Sequence, residues 1–154
     1  MFGMLSKRAK YGIRALVYLA EVQGRGPISI RDICETLTLP RKFLEAILLD
    51  LRNEGILQSR KGKEGGYFME RAPDTITLGR VIRFIDGPLA PVPCVSQTAY
   101  ARCDDCPDEK RCVIRWAMKD VRDSTARILD QITLEDMLKK QDLLNRMPEI
   151  EYQI

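Results

Sequence analysis

The sequence contains no histidine and only one tryptophan in 154 residues. Without imidazole there is no Ser/His/Asp or Cys/His pair for nucleophilic catalysis, and the commonest nitrogen ligand of protein metals is missing. No apolar run approaches the roughly 20 residues of a membrane-spanning helix. The opening residues, Met1 to Arg8, lack the apolar stretch and small-residue cleavage site of a secretory leader. There is no internal repeat, no nucleotide-binding glycine loop, no low-complexity tract and no carboxylate pair in a catalytic frame. These absences argue against an enzyme and against a membrane partner. They place the expected location in the cytoplasm, where thiols stay reduced.

The length allows one domain, or a small domain with an accessory segment, with enough core to dispense with disulfides. The net charge is only +3, yet it is unevenly spread. Residues 1–72 hold 13 Lys and Arg against 8 Asp and Glu, whereas residues 73–154 hold 12 against 14. The basic front half favours a polyanionic partner there.

Against these absences stands a concentration of cysteine. Four of the five lie in the nineteen positions from Cys94 to Cys112, at 94, 103, 106 and 112. Their neighbours are Asp, Glu, Lys, Arg and Pro, which makes burial as small hydrophobes a poor explanation for them. Thiolates this close can converge on one soft metal centre, zinc or iron-sulfur alike. The fifth, Cys34, falls on an apolar helix stripe and reads as core.

Apolar spacing predicts the elements. Ile13, Leu16, Val17 and Ala20 mark a helix from Ser6 to about Gln23, stopped by Gly24-Arg25-Gly26-Pro27. Ser29 caps a second helix through Ile30, Ile33, Cys34 and Leu37, followed by a tight turn at Thr38-Leu39. Pro40 is expected in the first turn of a third helix, carrying Leu44, Ile47, Leu48 and Leu51 and ending at Asn53-Glu54-Gly55. Strands are expected at Ile56–Ser59 and Tyr67–Met69, joined by a basic, glycine-bearing loop. Thr77 caps a helix that ends at Asp86-Gly87-Pro88, and Pro88, Pro91 and Pro93 then impose irregular backbone. A long helix runs from about Cys112 to Asp130. Its Ile114, Ala117, Val121, Ser124 and Ile128 form a seam that wants a partner helix, and Trp116 reads as packing in that interface. Thr133 to Asp136 looks like a capping box for a last helix through Met137 and Leu138, and the tail from Pro148 shows no period. The expected fold is mainly α with a small β-hairpin wing. It comprises a winged helix-turn-helix DNA-binding domain (1–72), a dimerisation region with the cysteine loop (73–147) and a tail (148–154).

Four features in order, Ser6-Lys-Arg-Ala-Lys-Tyr-Gly12, Phe43-Leu-Glu45, Gly62-Lys-Glu-Gly-Gly-Tyr67 and a cysteine loop before a long helix, resemble the Rrf2 family of bacterial winged-helix regulators, to which the iron-sulfur regulator IscR belongs. The resemblance covers nearly the whole chain. It implies a cytoplasmic transcription regulator that binds a partly palindromic site in double-stranded DNA as a homodimer. In the cluster-bearing branch it also implies a 2Fe-2S centre held by three cysteines and a histidine. Cys94, Cys106 and Cys112 match the three cysteines, but Arg115 stands where the histidine would be, and a guanidinium is no iron ligand. Cys103 is the nearest substitute; Asp104, Asp105 or a carboxylate of the partner subunit are alternatives.

The DNA-contacting set is placed at Ser29, Pro40, Arg41, Lys42 and Glu45 of the helix-turn-helix and at Arg60, Lys61 and Lys63 of the wing. Arg41 and Lys42 fall in the first turn of the recognition helix, where bases and phosphates are met. Glu45 one turn on can accept from a cytosine amino group or reject other bases. Lys61 and Lys63 suit phosphate or minor-groove contact. Tyr67 reads as wing packing, and Lys10, Arg14 and Arg25 as solvated surface. Two readings of the cysteines stand beside the 2Fe-2S cluster: a structural zinc, and a metal-free thiol switch with Cys103 and Cys106 as the redox pair. A thiol redox enzyme would need a βαβ context around Cys103-x-x-Cys106, which is missing.

Overall fold

A computed structural model describes residues 5–147, so the tail expected from Pro148 lies outside the described residues. The first helix, α1 (Lys7–Glu21), starts at Ser6, whose hydroxyl accepts the Ala9 N–H at 3.0 Å. Its predicted stripe is buried, and α1 forms the central post of the molecule, with most of the other helices packed against it. Ser29 caps α2 (Ile30–Leu37) by accepting the Asp32 N–H at 3.1 Å. The turn that follows has Thr38 at φ 52, the one non-glycine residue with left-handed backbone among the described residues. A β-branched side chain is disfavoured there, so the turn holds its shape through tertiary packing, with Leu39 buried beneath it.

Pro40 is the residue before α3 (Arg41–Asn53), not part of its first turn. Its ψ of 122 is extended, so the helix begins at Arg41 and carries no side-chain cap. Gly55, at φ 72, then reverses the chain into the wing. There β1 (Leu57–Arg60) pairs antiparallel with β2 (Gly66–Met69), Leu57 facing Met69 and Arg60 facing Gly66, each strand set one residue later or earlier than its apolar residues suggest. Ile28 adds a bridge to Tyr67, with N–H···O distances of 2.9 and 2.8 Å in the two directions. Gly66 permits that approach, because a Cβ there would overlap the Ile28 carbonyl.

After a short turn at Pro73–Thr75, Thr77 caps α4 (Leu78–Asp86). Irregular chain carries the cysteines to Cys112, which caps α5 (Val113–Gln131). The last helix, α6 (Leu134–Arg146), runs well beyond Leu138. It begins in a reciprocal capping box in which Asp136 accepts the Thr133 N–H at 3.0 Å and Thr133 accepts the Asp136 N–H at 3.1 Å.

Ile76, Val81 and Leu134 are fully buried with Leu16, Leu19, Ile33, Leu44, Leu48 and Leu51, so residues from both sides of position 72 share one core. The cysteine loop lies outside it, and α5 touches it only through Leu129. What holds α5 is polar. Arg83 of α4 grips Asp130 of α5 with two hydrogen bonds, of 2.5 and 2.8 Å, directly over Gly79. The Arg83 guanidinium keeps the Asp130 carboxyl below its ordinary value. The tether is therefore complete above the ordinary carboxylate range and is lost only as the pH falls through the lowered value.

A Cβ on Gly79 would overlap Asp130 Oδ1 and crowd Arg83 Nη1. Gly79→Ala should therefore destabilise the protein by about 1–3 kcal/mol in chemical denaturation, and by much less when Asp130 is already alanine, because the obstructing carboxylate is gone. An equal penalty in both backgrounds would place the strain elsewhere.

Candidate nucleic-acid interface and cysteine centre

On α3 the core face takes Leu44, Ile47, Leu48 and Leu51, leaving Arg41, Lys42, Glu45, Ala46 and Leu49 exposed on one outward surface. Arg41 Nε donates to Glu45 across one helical turn at 2.8 Å. Glu45 therefore orients the Arg41 guanidinium and cancels its charge. Lys42 has no ion-pair partner among the described residues. The Ser29 hydroxyl is occupied in capping α2, and Pro40 is exposed at the tip of the turn. Arg60, Lys61 and Lys63 stand exposed along the wing. Lys61, Arg52 and Arg71 line an open cleft of about 770 Å³ between the end of α3 and the wing, with Glu70 as its one acid.

Several residues near this surface were not predicted. Arg14, expected only as solvated surface, donates to the Leu37 carbonyl at 2.6 Å and so ties the end of α2 to α1. Lys7, Arg8 and Tyr11 of α1 line a cleft of about 340 Å³ with Pro40 and Phe43, and Phe43 is 67% exposed. The i, i+4, i+7 spacing of Lys7, Tyr11 and Arg14 puts them on one face of α1, but what that face meets depends on how the helices cross.

The cysteine loop folds back on the start of α5. Cys94 sits in a short turn, Pro93–Val95, and is 4% exposed. Burial pushes its thiol up, and the neighbouring Cys103 thiol adds to this. Cys106, also pushed up by burial, has Cys112 and then Cys103 as its thiol neighbours. Its N–H donates to the Cys103 carbonyl at 3.2 Å. Cys112 Sγ accepts the Arg115 N–H at 3.4 Å and serves as the cap of α5. Arg115 then staples the loop: its Nε donates to the Cys94 carbonyl at 3.3 Å and faces Glu109 at 3.5 Å. Glu109 accepts from the Tyr100 hydroxyl at 2.8 Å. Asp104 and Asp105 are exposed at the loop's tip.

A soft metal asks for donors converging at about 2.3 Å. The donor set fits in kind, being four thiols on one loop. Among the described residues, however, no three His, Cys, Asp or Glu side chains are gathered as a metal site. Cys103 influences both Cys94 and Cys106, so the thiols are neighbours on the loop. Cys34 is half-buried against the core, away from the loop.

On the outer side of α5, Ile114 is 62%, Val121 42% and Ile128 56% exposed, and Trp116 73%. The predicted seam is thus uncovered in the single chain. None of the described helices is long and apolar enough to cross a membrane.

Three helices, a hairpin wing and a cationic outer face define a winged helix-turn-helix regulator of DNA. The sequence profile of the Rrf2 family, described as an iron-dependent transcriptional regulator, matches residues 5–140, and the chain belongs to that family. It is a transcription regulator and not an enzyme. It is 42% identical to an rrf2-like HTH-type transcriptional regulator of Rhodobacter capsulatus, over 88% of this chain and 92% of that one. The solved structure of CymR, the global cysteine regulator of B. subtilis, is similar at 33% identity and a TM-score of 0.71, covering 90% of this chain and 98% of that one. The structure of T. potens IscR is similar at 30% identity and a TM-score of 0.73, covering 96% and 94%.

The burial of Cys94 sets an order of reactivity. In timed alkylation of the folded protein with iodoacetamide, read by mass spectrometry, Cys94 should be modified well after Cys112. Simultaneous labelling would mean that the loop opens faster than the reagent reacts.

Proposed function

We propose that this chain works in the cytoplasm as a homodimer that binds a partly palindromic site in double-stranded DNA, and that the Cys94–Cys112 loop receives the signal by holding a 2Fe-2S cluster. The observation that carries the reading is the placement of four thiols on one loop clamped to the first turn of the helix whose apolar seam is left uncovered. Cys94, Cys106 and Cys112 would be ligands, with Cys103 the fourth, since Arg115 is committed to the Cys94 carbonyl and Glu109. The cluster would supply a centre sensitive to redox state and iron supply. The residues of the chain do the rest: Cys112 caps α5, and Arg115 fixes that cap to the loop. Closing or opening the loop would bear on how two α5 helices pack and so on how two winged heads are spaced. Half-sites on DNA must match that spacing.

A second reading, a metal-free switch with Cys103 and Cys106 as the redox pair, draws on the similarity to the cysteine regulator CymR. Anaerobically purified protein separates the two. The cluster reading expects red-brown protein with stoichiometric iron and sulfide, lost in Cys94→Ala, Cys106→Ala and Cys112→Ala and spectrally altered in Cys103→Ala. Colourless, iron-free protein whose DNA affinity falls on oxidation and returns with thiol would establish the switch. Stoichiometric zinc would establish a structural site.

On DNA, Ser29, Pro40, Arg41, Lys42 and Glu45 are proposed to meet the major groove, while Arg60, Lys61 and Lys63 hold the backbone. Lys61→Ala should weaken cognate and random DNA alike and lower the salt slope by about one. Glu45→Ala should cost roughly 1–3 kcal/mol on the cognate site only. Binding isotherms at several salt concentrations check both, and indistinguishable effects of the two changes would reject the assignment.

A further inference from the structure

We propose that the pocket between the cysteine loop and α5 binds the carboxylate head of a small organic acid, recognised by Arg122. Arg122 is the one buried residue of α5, 8% exposed, on the side turned away from the seam. Its Nη2 pairs with Asp123 at 2.9 Å, but Nε and Nη1 are buried without any partner. Guanidinium nitrogens stripped of water and left unpaired are among the costlier arrangements in a folded protein, so an acceptor is called for.

Arg122 lines a cavity of about 20 Å³ together with Arg83, Ser96, Thr98 and Ala126. Charge selects an anion as the occupant. Arg83 is matched by Asp130, but Asp123 is shared between Arg122 and Lys119, which lies at 2.8 Å, and it also feels Arg127. Cations therefore outnumber the two carboxylates around the pocket. Ser96, 8% exposed, accepts the Ala99 N–H at 2.9 Å and keeps its hydroxyl hydrogen free to donate. Size selects the anion's shape. A single water needs roughly 10–15 Å³ of such volume, so this cavity takes the end of a planar carboxylate but not a tetrahedral sulfate or phosphate. The remainder of the acid would lie outside the cavity. A ligand held by both Arg122 and Ser96 would pin the loop, two residues beyond Cys94, to α5. The site stands apart from the thiols, and its test reads neither iron nor DNA.

The test is thermal melting of the full chain in sodium formate, balanced with sodium sulfate at constant ionic strength, alongside Arg122→Lys and Ala126→Val. The first variant keeps the charge but loses both orphan nitrogens; the second narrows the cavity and leaves Arg122 in place. The wild type should show a saturating rise of roughly 2–4 °C, absent from both variants, and the amide resonances of Ser96, Gln97 and Thr98 should move with the same midpoint. Should Arg122→Lys not fold, Ala126→Val and the resonances decide. No saturable rise in the wild type would mean that water satisfies Arg122. A rise undiminished in Ala126→Val would put the formate elsewhere. Melting that depends on protein concentration but not on formate would mean that a second copy supplies the carboxylate. Each of these three results overturns the proposal.

Discussion

Two backbone hydrogen bonds, from the Leu78 N–H to the Ile132 carbonyl at 2.8 Å and from the Leu134 N–H to the Ile76 carbonyl at 3.0 Å, hold the starts of α4 and α6 side by side. Much of the architecture depends on this contact between segments more than fifty residues apart in sequence. It lets Ile76 and Leu134 enter the core built on α1, so that α4 and α6 become part of the body that carries the helix-turn-helix. It also fixes where α5 must end. With Ile132 in the bridge and Asp130 gripped by Arg83, the C-terminal end of α5 is anchored to that body. The helix is about 28 Å long in all, and the part beyond that anchor has little apolar support.

A helix anchored at one end behaves as a lever, and the cysteine loop sits at the other end. Arg115 is the joint: one guanidinium binds the Cys94 carbonyl and faces Glu109, while its own N–H is capped by Cys112. On the proposed reading, chemistry at the thiols would act on the first turn of α5, away from the fully buried residues of the core. Such an arrangement suits a regulator, because the two states can differ by the few kcal/mol of an allosteric coupling and not by the free energy of folding. The exposed Ile114, Val121 and Ile128 complete the mechanical picture. A lever that changes angle can transmit it only through a surface that packs against something, and that seam is the uncovered apolar surface along the helix.

The sequence was legible where a local rule sufficed. Ser6, Ser29, Thr77 and Thr133 each announce a helix start, and each side chain accepts the expected backbone N–H. The core stripes of α1 and α3 followed from spacing alone. Less was readable where the answer lay between distant segments. Nothing near Arg14 indicates that it reaches the Leu37 carbonyl, and nothing near Gly79 signals the carboxylate above it, because both depend on how helices cross. Pro40 was misplaced by one residue since its φ suits either the position before a helix or its first turn; ψ decides, and ψ is set by the turn around Thr38. In the cysteine loop, spacing marked the four residues but not their pairing. Which thiol touches which depends on an irregular path shaped by three prolines and the Arg115 contacts.

If α3 reads bases as proposed, the pairing of Arg41 with Glu45 lets this chain carry an acid on that surface. A bare carboxylate there would repel phosphates throughout the approach to DNA. Bound to Arg41, it leaves a nearly neutral, oriented hydrogen-bonding unit whose donors and acceptor are presented together. Such a unit would add little to the sequence-independent attraction, which on that proposal would come from Lys42, the cations along the wing and the cleft at its base. It would discriminate instead, since a base edge that fails to match both groups leaves one of them desolvated and unpaired. Affinity and specificity would thus fall to different elements. The wing, carried on the short β1–β2 ribbon and the single Ile28 bridge, would tolerate small shifts in phosphate position, while α3, seated on Leu44, Ile47, Leu48 and Leu51, would hold the reading groups rigidly.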